Sequence, residues 1–164
     1  MAVLLVTFPE KGRAAYMLIP GVWHLCDDGI VRPVIRSELL AHDGLWVKTL
    51  FLLDTGADRT VISADVLAAL RLQPVGSPLR LGGVGGMANS IVVETQIRLT
   101  HEQSGKVVFR GQFAAFDIVE ALDMSVLGRD ILNLFAVIVD KPDDSLCLLG
   151  QQHYYQIKAT IAAR

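Results

Sequence analysis

Cysteine is scarce in this chain. There are two in 164 residues, Cys26 and Cys147, far apart and neither in a CxxC. A scaffold stapled by several disulfides is therefore excluded, and two buried thiols in a reducing compartment, in preference to a single Cys26–Cys147 bridge, are the expectation. Metal-ligand spacing is also lacking. The four histidines, His24, His42, His101 and His153, are scattered, so neither a zinc site nor any other metal or cofactor is expected. Charge of one sign is missing as well. With 15 Lys and Arg against 17 Asp and Glu, the net charge is −2. No basic run or interleaved basic-aromatic patch exists, so neither nucleic acid nor an anionic membrane is an expected partner. No apolar run approaches the roughly 20 residues of a membrane span. The opening MAVLLVTFPEKGR has no basic stretch before its short apolar run, and Pro9, Glu10 and Lys11 interrupt it. It does not read as a signal peptide, and a soluble, cytoplasmic protein is expected.

What is present is a globular composition, 52% hydrophobic and 20% charged. A chain of this length can bury roughly 70% of its unfolded surface. One domain is read over residues 31–150, with an N-terminal extension over 1–30 that could include a strand at MAVLLVTF, and a C-terminal tail over 151–164. VRPVIRSELL reads as extended, with Pro33 near an edge or a strand start. His42-Asp43-Gly44 is a turn signal, and LWVKTLFLL a strand, so the two close a hairpin. RTVIS is a short strand. SADVLAALRL is helical, with Ser63 at the N-cap and Val66, Leu67 and Leu70 on one face. LRLGGVGGMANSIVVETQIRL reads as a hairpin with a glycine-rich tip. KVVFRGQFAAFDIV reads as two short strands, MSVLGRDILNLFAVIVD as strand, short helix and strand, and SLCLLG as a last strand. Residues 9–30 carry no clear pattern. The sum predicts a mainly-β, closed barrel-like domain with a β-hairpin flap and one or two short helices.

The stretch that carries chemistry is LFLLDTGADRTVIS, Leu50 to Ser63. It ends an apolar strand in a carboxylate, Asp54. Desolvation raises the pKa of an acid so placed, and alone the acid would simply be protonated. Beside a second carboxylate it becomes useful, because two close carboxylates hold one shared proton. The ionised member takes a proton from water while the protonated one polarises a carbonyl. Thr55 can fix the turn by hydrogen bonding, and Gly56 lets backbone approach the acid.

LLDTGADRTVIS resembles the active-site turn of the retropepsin-like aspartic proteases. VLGRDIL, Val126 to Leu132, resembles that family's second signature, and LRLGGVGGMANSI lies where the family has its flap. Three features in the family's order cover about residues 31–150, with the single-domain cellular and bacterial members nearer than the viral enzymes. The resemblance implies an acid-protease fold and an aspartic endopeptidase activity. It implies that Asp54 is the catalytic acid, that Thr55 grips its counterpart across a dimer interface, and that Gly56 and Ala57 shape the turn and offer backbone to substrate. Asp58 matches a position that binds substrate backbone and pairs with Arg129, which with Gly128 supports the site. Gly82 to Gly86, including Gly83, Val84 and Gly85, match the flap tip. Arg59 departs from the small or acidic residue frequent in the family, and the helix after the first strand pair is longer than in viral enzymes.

The chain holds one Asp-Thr-Gly and no Asp-Ser-Gly. Asp117, Asp123, Asp130 and Asp140 are followed by Ile, Met, Ile and Lys and cannot supply a second copy. A dyad must therefore come from two chains, and a symmetric homodimer acting on a peptide or protein substrate is the expectation. Plainer readings stand beside it. Asp54 can be an Asx-turn residue, Asp58 and Arg129 a surface pair, Gly82 to Gly86 a simple loop, and Asp130 a helix N-terminal acid. The glycine run also brushes a dinucleotide fingerprint, but β-branched residues follow where a helix should begin. The alternative function is a dimerising, peptide-binding module of this fold with little or no proteolysis.

Overall fold

The computed structural model describes the backbone of residues 5–7 and all of residues 17–83, 86–102, 104–118 and 122–150. Among the described residues, eleven strands and two short helices follow one another: β1 (Leu5–Thr7), β2 (Leu18–Leu25), β3 (Val31–Leu40), β4 (Trp46–Leu53), β5 (Val61–Ile62), α1 (Ala64–Leu70), β6 (Leu79–Gly83), β7 (Gly86–Thr100), β8 (Lys106–Ala115), β9 (Val126–Leu127), α2 (Arg129–Leu132), β10 (Ala136–Asp140) and β11 (Ser145–Leu149). The mainly-β expectation holds, and no helix among the described residues is long and apolar enough to cross a membrane.

The sheet closes on itself through β3. One edge of β3 pairs with β4 from Val34 to Leu40. Its other edge pairs with β2 along Val31–Ile35 and with β7 at Ser37, Glu38 and Leu39. The ring β3-β4-β9-β5-β8-β7 is thereby complete, with β2, β11 and β10 continuing outward from β3 and β6 attached to β7. It is a ring with a side wing and a protruding hairpin, not a uniform barrel.

Alternation of side chains fills the ring. Ile35 and Leu39 on β3, Val93, Ile97 and Leu99 on β7, and Val107 and Phe109 on β8 are fully buried, as period-two strands with one wet face require. Phe109 meets Phe135 edge-on, with ring centroids 6.2 Å apart. Leu70 of α1 and Ile131 of α2 plug the same core.

Several local expectations are met. The β3–β4 hairpin turns at Asp43-Gly44, where Gly44 has φ +82°, and the Gly44 N–H donates to Ala41 O. Pro33 lies near the start of β3, where a missing donor costs little. Two readings need correction. KVVFRGQFAAFDIV does not make two strands; Lys106–Ala115 is one strand, because Gly111 stays in register opposite Thr95. Leu18–Leu25, within the stretch that carried no pattern, is β2, and its Ile19 is fully buried. The tail over 151–164 lies outside the described residues.

On the outer face of the closure, Glu38 of β3 accepts from Arg98 Nε of β7 at 2.5 Å and from Lys106 Nζ of β8 at 3.1 Å. Arg98 in turn lies over the Trp46 ring, 3.8 Å from its centroid. Arg98 chiefly, and Lys106 after it, hold the Glu38 carboxyl down from its ordinary 4.5 to about 2. A depressed carboxylate stabilises the fold fully above its unfolded pKa and loses that contribution as pH falls through its folded one. The wild-type chain is therefore expected to lose this contribution as pH falls from about 4.5 to about 2. Glu38→Gln should be less stable at neutral pH and show a shallower fall over the same window, read from urea midpoints as a function of pH.

Candidate active site

Asp54 follows directly on β4, whose last residue, Leu53, is buried. The strand is held in place from the far half of the chain. Leu52 N–H donates to Ser125 O at 2.8 Å and Asp54 N–H to Leu127 O at 3.3 Å, in parallel pairing of β4 with β9. The chain then turns sharply. Asp54 Oδ1 accepts from the Gly56 N–H at 2.8 Å, and Asp54 O from the Ala57 N–H at 3.3 Å. A Cβ at Gly56 would lie 3.1 Å from Asp54 Oδ1, so glycine allows this close approach. Asp54 is half-buried while Thr55 and Gly56 are exposed. The acid therefore stands at the surface of the single chain, oriented by its own turn.

Behind the turn, two loops cross. The loop of residues 57–60 lies on the loop that joins β9 to α2. Arg129 N–H donates to Ala57 O at 2.8 Å. Thr60 Oγ1 accepts from the buried Gly128 N–H at 3.1 Å and donates to Asp130 Oδ1 at 2.7 Å. The Thr60 N–H is shared between Asp130 Oδ1 and Oδ2 at 2.9 and 3.0 Å. Gly128 has no room for a side chain, since a Cβ would meet the Arg59 carbonyl carbon at 2.3 Å and the Thr60 nitrogen at 2.8 Å. The glycine of Gly-Arg-Asp is thus where one loop passes over the other. One residue pair further along, Ser63 N–H donates to Ser125 Oγ at 3.0 Å and the two hydroxyls lie 3.0 Å apart, fully buried.

These contacts revise the reading of two residues. Asp130 is more than a helix N-terminal acid. It does accept its own helix's Ile131 N–H at 3.0 Å, but it also clamps Thr60 across 70 positions of sequence. Ser63 stands at the N-cap position of α1 but makes no side-chain cap bond; its hydroxyl serves Ser125 instead. Thr60 and Ser125 were not singled out from sequence, and only the Gly-Arg-Asp beside Ser125 hinted at the crossing.

The remaining candidates fall as follows. Asp58 and the Arg129 guanidinium form an ion pair, both side chains half or more exposed. An exposed pair of this kind contributes about 0–1 kcal/mol, so its placement beside Asp54 matters more than its energy. Gly83 pairs with Gly86 at the end of the β6–β7 hairpin, and Gly86 has φ +109°. Val84 and Gly85 lie outside the described residues. The hairpin stem is brought to the site, because Leu81 and Ala88 pack on the cluster of Val61, Ala114 and Phe116 just past Thr60. A cavity of about 510 Å³ opens along β4, lined by Leu52 together with Leu122, Met124, Asp65, Arg32 and His24. Asp54 itself lies just past the end of β4 and does not line this cavity. No group of three or more His, Cys, Asp or Glu among the described residues could hold a metal ion.

The clamp makes a prediction. Thr60→Val keeps the shape but strands the buried Gly128 N–H and removes one donor from Asp130. A loss of about 1–3 kcal/mol is expected in urea unfolding, whereas Thr60→Ser, which keeps the hydroxyl, should lose clearly less.

A family model of aspartyl protease matches residues 41–152, from the Asp43-Gly44 hairpin turn through the Asp54 turn and Gly128–Asp130 to the end of β11. Among solved structures, a retropepsin-like aspartic protease from Rickettsia conorii superposes with a TM-score of 0.51 at 17% identity, over 88% of this chain and 98% of that one. The EIAV protease complexed with the inhibitor HBY-793 matches with a TM-score of 0.47 at 25% identity, over 62% of this chain and 86% of that one. No curated protein matches the chain. With the model match spanning well over half the sequence, the chain belongs to the aspartyl protease family, and its fold resembles that of the retropepsin-like Rickettsia structure.

Proposed function

We propose that the protein is an aspartic endopeptidase that works as a symmetric homodimer, with Asp54 of each chain forming the dyad. The observation that carries this reading is the Asp54 turn itself. It holds a single, oriented carboxylate, with its Gly56 donor at 2.8 Å and its Thr55 and Gly56 exposed. That is half of a two-acid site, and the chain has no second Asp-Thr-Gly to complete it. A two-fold axis beside Thr55 supplies the other half.

In the dimer the two carboxylates share one proton. The ionised Asp54 removes a proton from a water lying between them, and the water oxygen bonds to the peptide carbonyl carbon. The protonated Asp54 gives its proton to the carbonyl oxygen. The resulting gem-diol collapses as the C–N bond breaks, one hydroxyl proton returning to a carboxylate and a proton passing to the departing amine nitrogen. Thr55 hydroxyls hold the two turns together, and Gly56, Ala57 and Asp58 offer groups to an extended substrate backbone. The β6–β7 hairpin, with Gly83 and Gly86 at its tip, serves as the flap.

The test is cleavage of a diverse peptide mixture from pH 4 to 7, read by mass spectrometry, beside an Asp54→Asn control. Products are expected only with Asp54 intact, most abundant on the acidic side where one shared proton is retained, and rising more steeply than linearly with protein concentration as dimer forms. Sedimentation should show a monomer–dimer equilibrium. A chain that dimerises and binds peptide but yields no Asp54-dependent product at any pH would instead be a binding module of the same fold.

A further inference from the structure

We infer that the outer face of β3 and β4 carries a second binding site, a basic groove that holds an acidic, extended segment of a protein substrate away from the dyad. The groove has a volume of about 530 Å³ and is lined by Arg36, Glu38, Lys48, Leu50, Thr100 and Lys106. Its charge is unbalanced. The only carboxylate in it, Glu38, is already taken by Arg98 and Lys106, and Lys106 also donates to Thr100 Oγ1 at 2.7 Å. Arg36 and Lys48 are exposed and have no hydrogen bond or ion pair among the described residues. Two free cations therefore face one groove in a chain whose net charge is −2.

The spacing selects the ligand. Arg36 lies opposite Leu50, and Lys48 opposite Glu38, so Arg36 and Lys48 are diagonal neighbours about 7 Å apart. Side chains at i and i+2 of an extended peptide project to one side at roughly 7 Å. Two acidic residues separated by one other thus match the two cations, with the Leu50 side chain beside one flank of the pair and the engaged Glu38 beside the other. The geometry favours a peptide over a nucleic-acid strand. The ring nearby, Trp46, already has Arg98 over one face, which removes that face from base stacking. Glu38 is thereby given a role beyond ring closure, since it engages Lys106 and Arg98 while Arg36 and Lys48 stay free.

The site rests on the proteolytic reading only for what its ligand belongs to, so binding is measured apart from cleavage. Full-length Asp54→Asn protein is titrated into fluorescein-labelled Glu-Ala-Glu-containing peptide and its Gln-Ala-Gln counterpart, with fluorescence anisotropy as the readout. The acidic peptide is expected to bind the more tightly, and Arg36→Ala/Lys48→Ala to weaken it by about tenfold or more. Added salt should lower the affinity of the parent protein far more than that of the double variant. Arg36→Glu/Lys48→Glu should reverse the preference, binding a Lys-Ala-Lys peptide and refusing the acidic one, which also shows that the variant is folded. Equal binding of acidic and neutral peptides, or affinity unchanged in the double variant, overturns the groove. Inorganic phosphate displacing the peptide at comparable concentration overturns the peptide form of the ligand. Failure of Asp54-dependent cleavage with intact acidic-peptide binding sinks the protease and leaves the groove standing.

Discussion

The crossing of two loops behind Asp54 is the constraint on which the site depends. Loop 57–60 and the loop that leads into α2 touch backbone to backbone at Gly128. Their polar groups satisfy one another through Thr60 and Asp130. Buried donors and acceptors must be paired, and here each pairing crosses from the first half of the chain to the second. The hydrogen bonds of Leu52 and Asp54 to Ser125 and Leu127 extend the same lock along β4 and β9. An acid at the end of a buried strand costs free energy unless it is hydrogen-bonded or solvated, and Asp54 is half-exposed and accepts from the Gly56 N–H. The crossing fixes the backbone on either side of the turn, and among the described residues the carboxylate itself is bonded by the Gly56 N–H.

Ring closure through β3 supports the lock from outside. Because β3 changes partner from β2 to β7 midway along one edge, the ring and the side wing share a strand. β2 can enter only because Gly21 leaves space for Leu146, whose side chain would lie 2.4 Å from a Cβ there. The outer face at the closure is charged, and there the cations outnumber the one carboxylate they share. Stability and the inferred groove therefore draw on the same residues.

In the proposed dimer, the exposure of Thr55 and Gly56 has a physical reason. A two-acid site split between identical chains has to present each acid at a surface, and the surface with the lowest cost is a tight turn already satisfied within its own chain. Asp54 meets that condition, since its turn bonds are internal.

Local chemistry made the turn and its order legible from residues alone. An apolar strand, Asp-Thr-Gly-Ala, a short β-branched strand, an amphipathic helix, a glycine-tipped hairpin and Gly-Arg-Asp each declare themselves within a few positions. Asp43-Gly44 likewise announces its hairpin. β2 did not, because Pro20 and Gly21 in Leu18–Leu25 argue locally against a strand, and what places it there is pairing with β3 and β11. β8 looked divided at Gly111 because a glycine reads as a break until the opposing Thr95 is known. Asp130 looked like a helix-end acid because the helix is its neighbour in sequence, while Thr60 lies 70 residues away. The sequence determined the chemical groups and the turns that carry them, since these follow from backbone preferences acting over a few residues. The tertiary structure alone decided which buried polar groups satisfy one another and which cations remain free. Those outcomes depend on contacts between distant segments, and no short-range preference encodes them.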